Sequence, residues 1–256
     1  MGTTTLVACT QNAQGCLQEA DTSCAGMGLV CGTVGSNASC VCPAPPSGCS
    51  GGAGTKSCTG DTTLLTCSAD SHSCVVGQST TCQTGQYCWT STLACAPPTA
   101  VGYPTDFGGA GTKTGGYLLG QTVTISAASK IRSFGLLTPS AGSMVSMGLY
   151  TNVNNLPSQL VAKVEFQAVV VGVPAKNEYP ASPAMTGGSL QIAPGTYWLM
   201  ALFDVNTSTE IAPTSGPTTT VAFVMTGWGS ALPQTLGGVS TQANQRATNY
   251  YMLVTQ

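Results

Sequence analysis

The chain has 256 residues, enough for two ordinary domains, and only 6% of them are Asp, Glu, Lys or Arg, against about 25% in an average soluble domain. Seven scattered basic residues are nearly balanced by nine acidic ones, which excludes the basic face that nucleic acid requires and any polybasic attraction to anionic lipid. All thirteen cysteines lie between Cys9 and Cys95, so the chain reads as cysteine-rich modules followed by a separate cysteine-free domain.

Thr3-Thr4-Thr5-Leu6-Val7-Ala8 opens the chain as a β-prone segment, suited to joining subunits by adding to a sheet edge on a neighbouring copy. Ordinary pairing within the chain is the competing reading. Cys9, Cys16, Cys24, Cys31, Cys40 and Cys42 then mark a disulfide-rich module over residues 1–47, closed by Cys42-Pro-Ala-Pro-Pro. Cys58, Cys67, Cys74, Cys82, Cys88 and Cys95 mark a second over residues 48–99, closed by Cys95-Ala-Pro-Pro. Each proline-rich tail reads as a stiff extended spacer. There is no C-x-x-C pair and a single histidine, His72, which argues for disulfides over zinc or haem. Disulfides persist outside the cytosol, so the chain is expected to be extracellular or at a cell surface. Thirteen is odd, and Cys49, lying between the two sets, is expected to be free or intermolecular.

From residue 100 to 256 the pattern is that of strands, near 117–126, 129–138, 143–152, 158–171, 187–193, 195–205, 218–227 and 249–256. Leu160, Ala162, Val164 and Phe166 are expected to face inward. Tyr197, Leu199, Ala201 and Phe203 should share one face, as should Val221, Phe223 and Met225. The fold class is therefore all-β: small disulfide-rich tandem modules followed by an antiparallel β-sandwich or jelly roll. Residues 228–248 read as a long polar loop, functional or disordered. No run of 18 apolar residues occurs, so no membrane span is expected.

The stretch Cys49…Ser57-Cys58-Thr59-Gly60-Asp61…Cys67…Cys82…Cys88 resembles the cysteine-rich repeats of secreted proteins of myxobacteria and related environmental bacteria. Gly148-Leu149-Tyr150-Thr151, Leu156-Pro157-Ser158-Gln159-Leu160-Val161 and Ala193-Pro194-Gly195-Thr196-Tyr197-Trp198-Leu199 resemble a β-sandwich module at the ends of large bacterial extracellular proteins. Both resemblances imply surface display, adhesion or fibre building, with no catalytic residues to carry over.

His72 lies among Asp70, Ser71 and Ser73, but a working triad converges from separate elements rather than from sequence neighbours. Gly108-Gly109-Ala110-Gly111 leads into no helix and reads as a flexible loop, not a phosphate cradle. Few acidic residues are available for calcium, so neither a metal nor another cofactor is expected. Glycan recognition needs flat aromatics beside polar groups; Trp198, Trp228 and Tyr250 are the candidates, with core packing as the alternative. The expected function is that of a non-catalytic structural protein, a self-assembling subunit of a bacterial surface fibre, sheath or coat partnered by copies of itself. The alternative is a secreted module for adhesion or polysaccharide binding.

Overall fold

A computed structural model describes residues 5–11, 17–24, 29–34, 37–113, 115–139, 141–170 and 176–256. Among these no helix occurs. The chain divides into two compact units, Met1–Ala96 and Pro97–Gln256. The break precedes residue 99 because Thr99–Gly102 is already a strand of the second unit's sheet.

In the first unit, β1 (Thr5–Gln11) pairs with β2 (Leu17–Ser23), and β3 (Val30–Val34) with β4 (Asn37–Val41). The strands β5 (Lys56–Cys58), β6 (Thr63–Ala69) and β7 (Val75–Thr81) form a three-stranded sheet, and β8 (Tyr87–Trp89) pairs with β9 (Ala94–Ala96). Among the described residues its apolar cluster is small: Leu65, Cys49 and Cys67, with Val75 against them. A cluster of that size does not offset chain entropy alone, and covalent bridges add stability by restricting the unfolded chain. They join Cys24–Cys40, Cys42–Cys74, Cys49–Cys67, Cys58–Cys88 and Cys82–Cys95.

Two expectations are corrected here. Cys49 is neither free nor intermolecular: it is fully buried and bonded to Cys67. The division into modules 1–47 and 48–99 is crossed by Cys42–Cys74, so Cys42 belongs with the later set. The ten bridged residues leave Cys9, on β1, Cys31, on β3, and Cys16, outside the described residues.

The second unit is a sandwich of two antiparallel sheets. Its strands are β10 (Thr99–Gly102), β11 (Ala110–Lys113), β12 (Tyr117–Ile125), β13 (Ser129–Leu136), β14 (Met144–Val153), β15 (Leu156–Ala168) and β16 (Asn177–Pro180). They continue as β17 (Ser182–Pro183), β18 (Gln191–Ile192), β19 (Gly195–Phe203), β20 (Thr207–Glu210), β21 (Thr218–Met225), β22 (Ser240–Arg246) and β23 (Tyr250–Thr255). One sheet runs β17-β15-β14-β19-β12-β21-β22. The other runs β10-β23-β13-β16, with β18 also on β13, and β11 pairs with β20 alone. Residues alternate across the strands, so Leu199, Ala201 and Phe203 of β19 meet Phe134, Met252 and Val254 between the sheets. Gly120 has a steric reason: a Cβ there would fall on the Leu199 carbonyl oxygen and lie 2.5 Å from Met200 Cα.

The outer face of the seven-stranded sheet is also covered. Trp198, Met200 and Leu202 of β19, with Leu118 and Tyr150, form a second core closed by Leu232. Leu232 belongs to the segment expected as a loop, and most of the span from Thr226 to Val239 is a pinned strap. The Leu160 amide donates to Gln234 O at 2.9 Å, the Leu236 amide to Ser158 O at 2.9 Å, and the Leu232 amide to Glu165 Oε1 at 2.6 Å. The expected alternation of β15 is split for the same reason. Ala162 and Val164 face the inner core, whereas Leu160 joins the outer one across a register shift against β14.

Candidate functional site

Two of the three aromatic candidates for glycan contact are core residues. Trp198 is 0% exposed, and its indole Nε1 donates to Asn152 Oδ1 at 3.0 Å. Tyr250 is also 0% exposed, on a strand held between β10 and β13. Burial raises its hydroxyl far above the usual phenol range, with Thr209 acting weakly against this. Neither ring can stack on a sugar.

Trp228 differs. It is half-buried beside Gly227 and Gly229, both at positive φ, and meets Phe166 edge to face, with ring centroids 5.5 Å apart. Phe166 was expected inside; instead it is 42% exposed at φ +54°. The register of β15 against β14 shifts between Val145 and Met147, which turns Phe166 outward, and its amide donates to Ser146 Oγ at 3.0 Å. A bulky residue in the left-handed region is strained, and such strain gathers at functional positions. Glu165 lies next in the chain, held by Lys163 Nζ at 2.7 Å. The exposed Phe166 ring and the half-buried Trp228 ring thus meet, with Glu165 next to Phe166 in the chain.

The N-terminal segment expected to join subunits forms one strand of a two-stranded sheet. Thr5, Leu6, Val7 and Ala8 pair with Ser23, Thr22, Asp21 and Ala20 within the chain, while Thr3 and Thr4 lie outside the described residues. Among the described residues β1, β2, β7 and β22 are seven-residue strands with one side unpaired. All seven residues of β22 are exposed, but Asn244 sits at φ +56° where the pairing with β21 shifts, and Arg246 closes the strand. A bulge and a charge are devices that keep an edge from pairing with other chains. By contrast, β7 reads Val-Val-Gly-Gln-Ser-Thr-Thr, runs in unbroken register against β6, and carries no charge, proline or bulge.

The Asp70–Ser73 segment is a turn. The Asp70 carboxylate accepts the amides of His72 and Cys74 at 2.8 and 2.9 Å, and these backbone bonds hold it below the ordinary carboxylate range. Ser71 Oγ lies 3.3 Å from His72 Nδ1. The carboxylate is thus occupied by backbone rather than by the imidazole, and the trio lacks the base–orienter contact of a triad.

Two polar groupings had no signal in the sequence. Lys113 and Arg246 line one cleft of about 390 Å³ with Gln242, Asn244 and Gln245. Neither cation has a hydrogen bond or ion pair among the described residues. Burial, reinforced by the Arg246 charge, lowers the Lys113 ammonium to about 8. At the opposite end of the β11–β20 pair, Asp106 and Glu210 bring two carboxyls together. Glu210 is 3% exposed, and burial followed by the Asp106 carboxyl raises it above the ordinary range, with the Gly108 and Gly109 amides acting the other way. Each grouping joins residues about 100 or more positions apart, so neither could be seen as a motif.

No family model, curated protein or solved structure matches the chain.

Proposed function

We propose that this is a non-catalytic extracellular structural protein, a subunit of a bacterial surface fibre, sheath or coat whose copies join edge to edge at β7. The observation that carries the reading is the unguarded edge itself: seven uncharged residues, six of them exposed, on a straight strand paired on one side. Such an edge is a template for another strand. The five bridges support an oxidising compartment. The near absence of charge removes the repulsion that keeps soluble monomers apart.

Negative-stain microscopy and sedimentation of the native protein test this, beside Val76→Lys/Thr80→Lys. Filaments or concentration-dependent oligomers in the native protein, lost in the double variant with its melting temperature unchanged, are the expected result. Monodisperse monomers at every concentration would sink the reading. The second reading, a glycan-binding or adhesion module, is favoured by the pairing of exposed Phe166 with half-buried Trp228. Retention on a polysaccharide that disappears in Trp228→Ala would select it.

A further inference from the structure

We propose that Asp106, Glu210 and the side-chain oxygen of Asn249 form a calcium site at the end of the β11–β20 pair. The sequence places these residues on three separate segments, and the backbone gathers them. The Asn249 amide donates to Glu210 O at 3.1 Å, fixing the two side by side. The Asn249 side-chain Nδ2 reaches the carbonyls of Tyr103 and Thr105, immediately before Asp106. The same amide's Oδ1 takes part in none of these bonds. The Asp106–Gly109 turn is pinned in place: Gly108 N–H donates to Asp106 Oδ1 at 2.6 Å with Gly108 at φ +66°, and Ile211 N–H donates to Gly109 O at 3.0 Å. A Cβ on Gly109 would lie 2.7 Å from Ile211 O, so glycine permits this approach.

Orphaned oxygens supply the independent indication of a ligand. Asn249 is 0% exposed and its Oδ1 has no partner; Glu210 Oε2 likewise has none. Buried acceptors left unmet cost about 1–3 kcal/mol each, and more when charged. The pinned Asp106–Gly109 turn brings a second carboxyl-bearing residue to the same end of the β11–β20 pair. A divalent cation answers all three demands, because it neutralises two carboxylates and fills the amide acceptor. The donors are all oxygen, with no imidazole or thiolate among them, which suits a hard cation rather than a transition metal. Calcium suits an irregular mixture of carboxylate, amide and water better than magnesium, which requires a near-ideal octahedron. Asp106 is exposed and Glu210 is buried.

The test uses the full chain stripped with chelator, then titrated with calcium by calorimetry and with terbium by luminescence sensitised through tyrosine. The expected result is a dissociation constant of about 0.1–1 mM, as for extracellular calcium modules, and a melting temperature about 4 °C higher in about 5 mM calcium. Asp106→Asn should melt no lower than the native protein in chelator, because it removes one charge of the same pair, yet bind calcium at least tenfold more weakly. Glu210→Gln should melt higher in chelator, since the carboxylate repulsion is gone, and lose the calcium response. Absence of both a thermal shift and terbium emission in the native protein overturns the site. So does a calcium shift that persists in Asp106→Asn, or one that magnesium reproduces in full.

Discussion

Burial decides what each aromatic does. Trp198 fills the outer core and satisfies its indole on Asn152, so Trp198→Ala should lose about 3–5 kcal/mol in guanidinium unfolding. Trp228→Ala should lose less than about 1.5 kcal/mol, because Trp228 keeps one side in water. Similar losses from both would mean that Trp228 is core as well. The sequence marked both tryptophans and could not separate them, since period-two patterning shows that Trp198 faces away from Leu199 but not what covers it. Lys113 gives a second residue-scale prediction. Its ammonium falls to about 8 from the ordinary 10.5 through burial and Arg246, so between those values the unfolded chain holds a proton that the folded chain has released. Stability therefore rises as pH climbs from about 8 to 10.5, by on the order of 2 kcal/mol after screening. Lys113→Met should remove that rise and stabilise the protein at pH 7. Denaturation midpoints of both proteins across the window check this, and parallel curves would refute it.

Strands were legible where a face is buried, and illegible where the backbone departs from alternation. β12, β13, β14, β19, β21 and β23 lie where the apolar pattern put them. The short or polar strands β11, β16, β20 and β22 carried no such pattern and were missed. On β21 the expected face is divided: Met225 is 73% exposed, whereas Val221 and Phe223 line the Lys113 cleft. β15 misled for a specific reason, because a bulge turns Phe166 out after Ala162 and Val164 have faced in. The strap from Thr226 to Val239 misled most. Its glycines and polar residues read as a loop, yet one residue, Leu232, closes a core, and the backbone of its neighbours pairs with β15. Leu232→Ala should therefore lose about 2–4 kcal/mol, whereas Leu156→Ala, at a side chain 40% exposed, should lose under about 1 kcal/mol. Comparable losses would mean that the strap rests on the sheet without holding it.

At the scale of the whole molecule, composition announced the division that the fold carries out. The cysteines stop at Cys95 and the first compact unit ends at Ala96. What composition could not announce was pairing: even spacing suggested two tandem sets, but Cys42–Cys74 ties one predicted set to the other, a choice made by three-dimensional proximity. The two units consequently rest on different physics. Residues 97–256 hold two extensive apolar cores and contain no cysteine. Residues 1–96 have a described core of little more than Leu65, Val75 and the buried Cys49–Cys67 bridge. Each bridge contributes about 2–5 kcal/mol in small secreted modules, so their loss exceeds what that core can supply. Calorimetry of the oxidised protein should then resolve two transitions. A strong reductant should abolish the one belonging to the first unit and leave the other within about 2 °C of its midpoint. A single transition that moves as a whole on reduction would show instead that the cysteine-free sandwich draws its stability from the bridged unit.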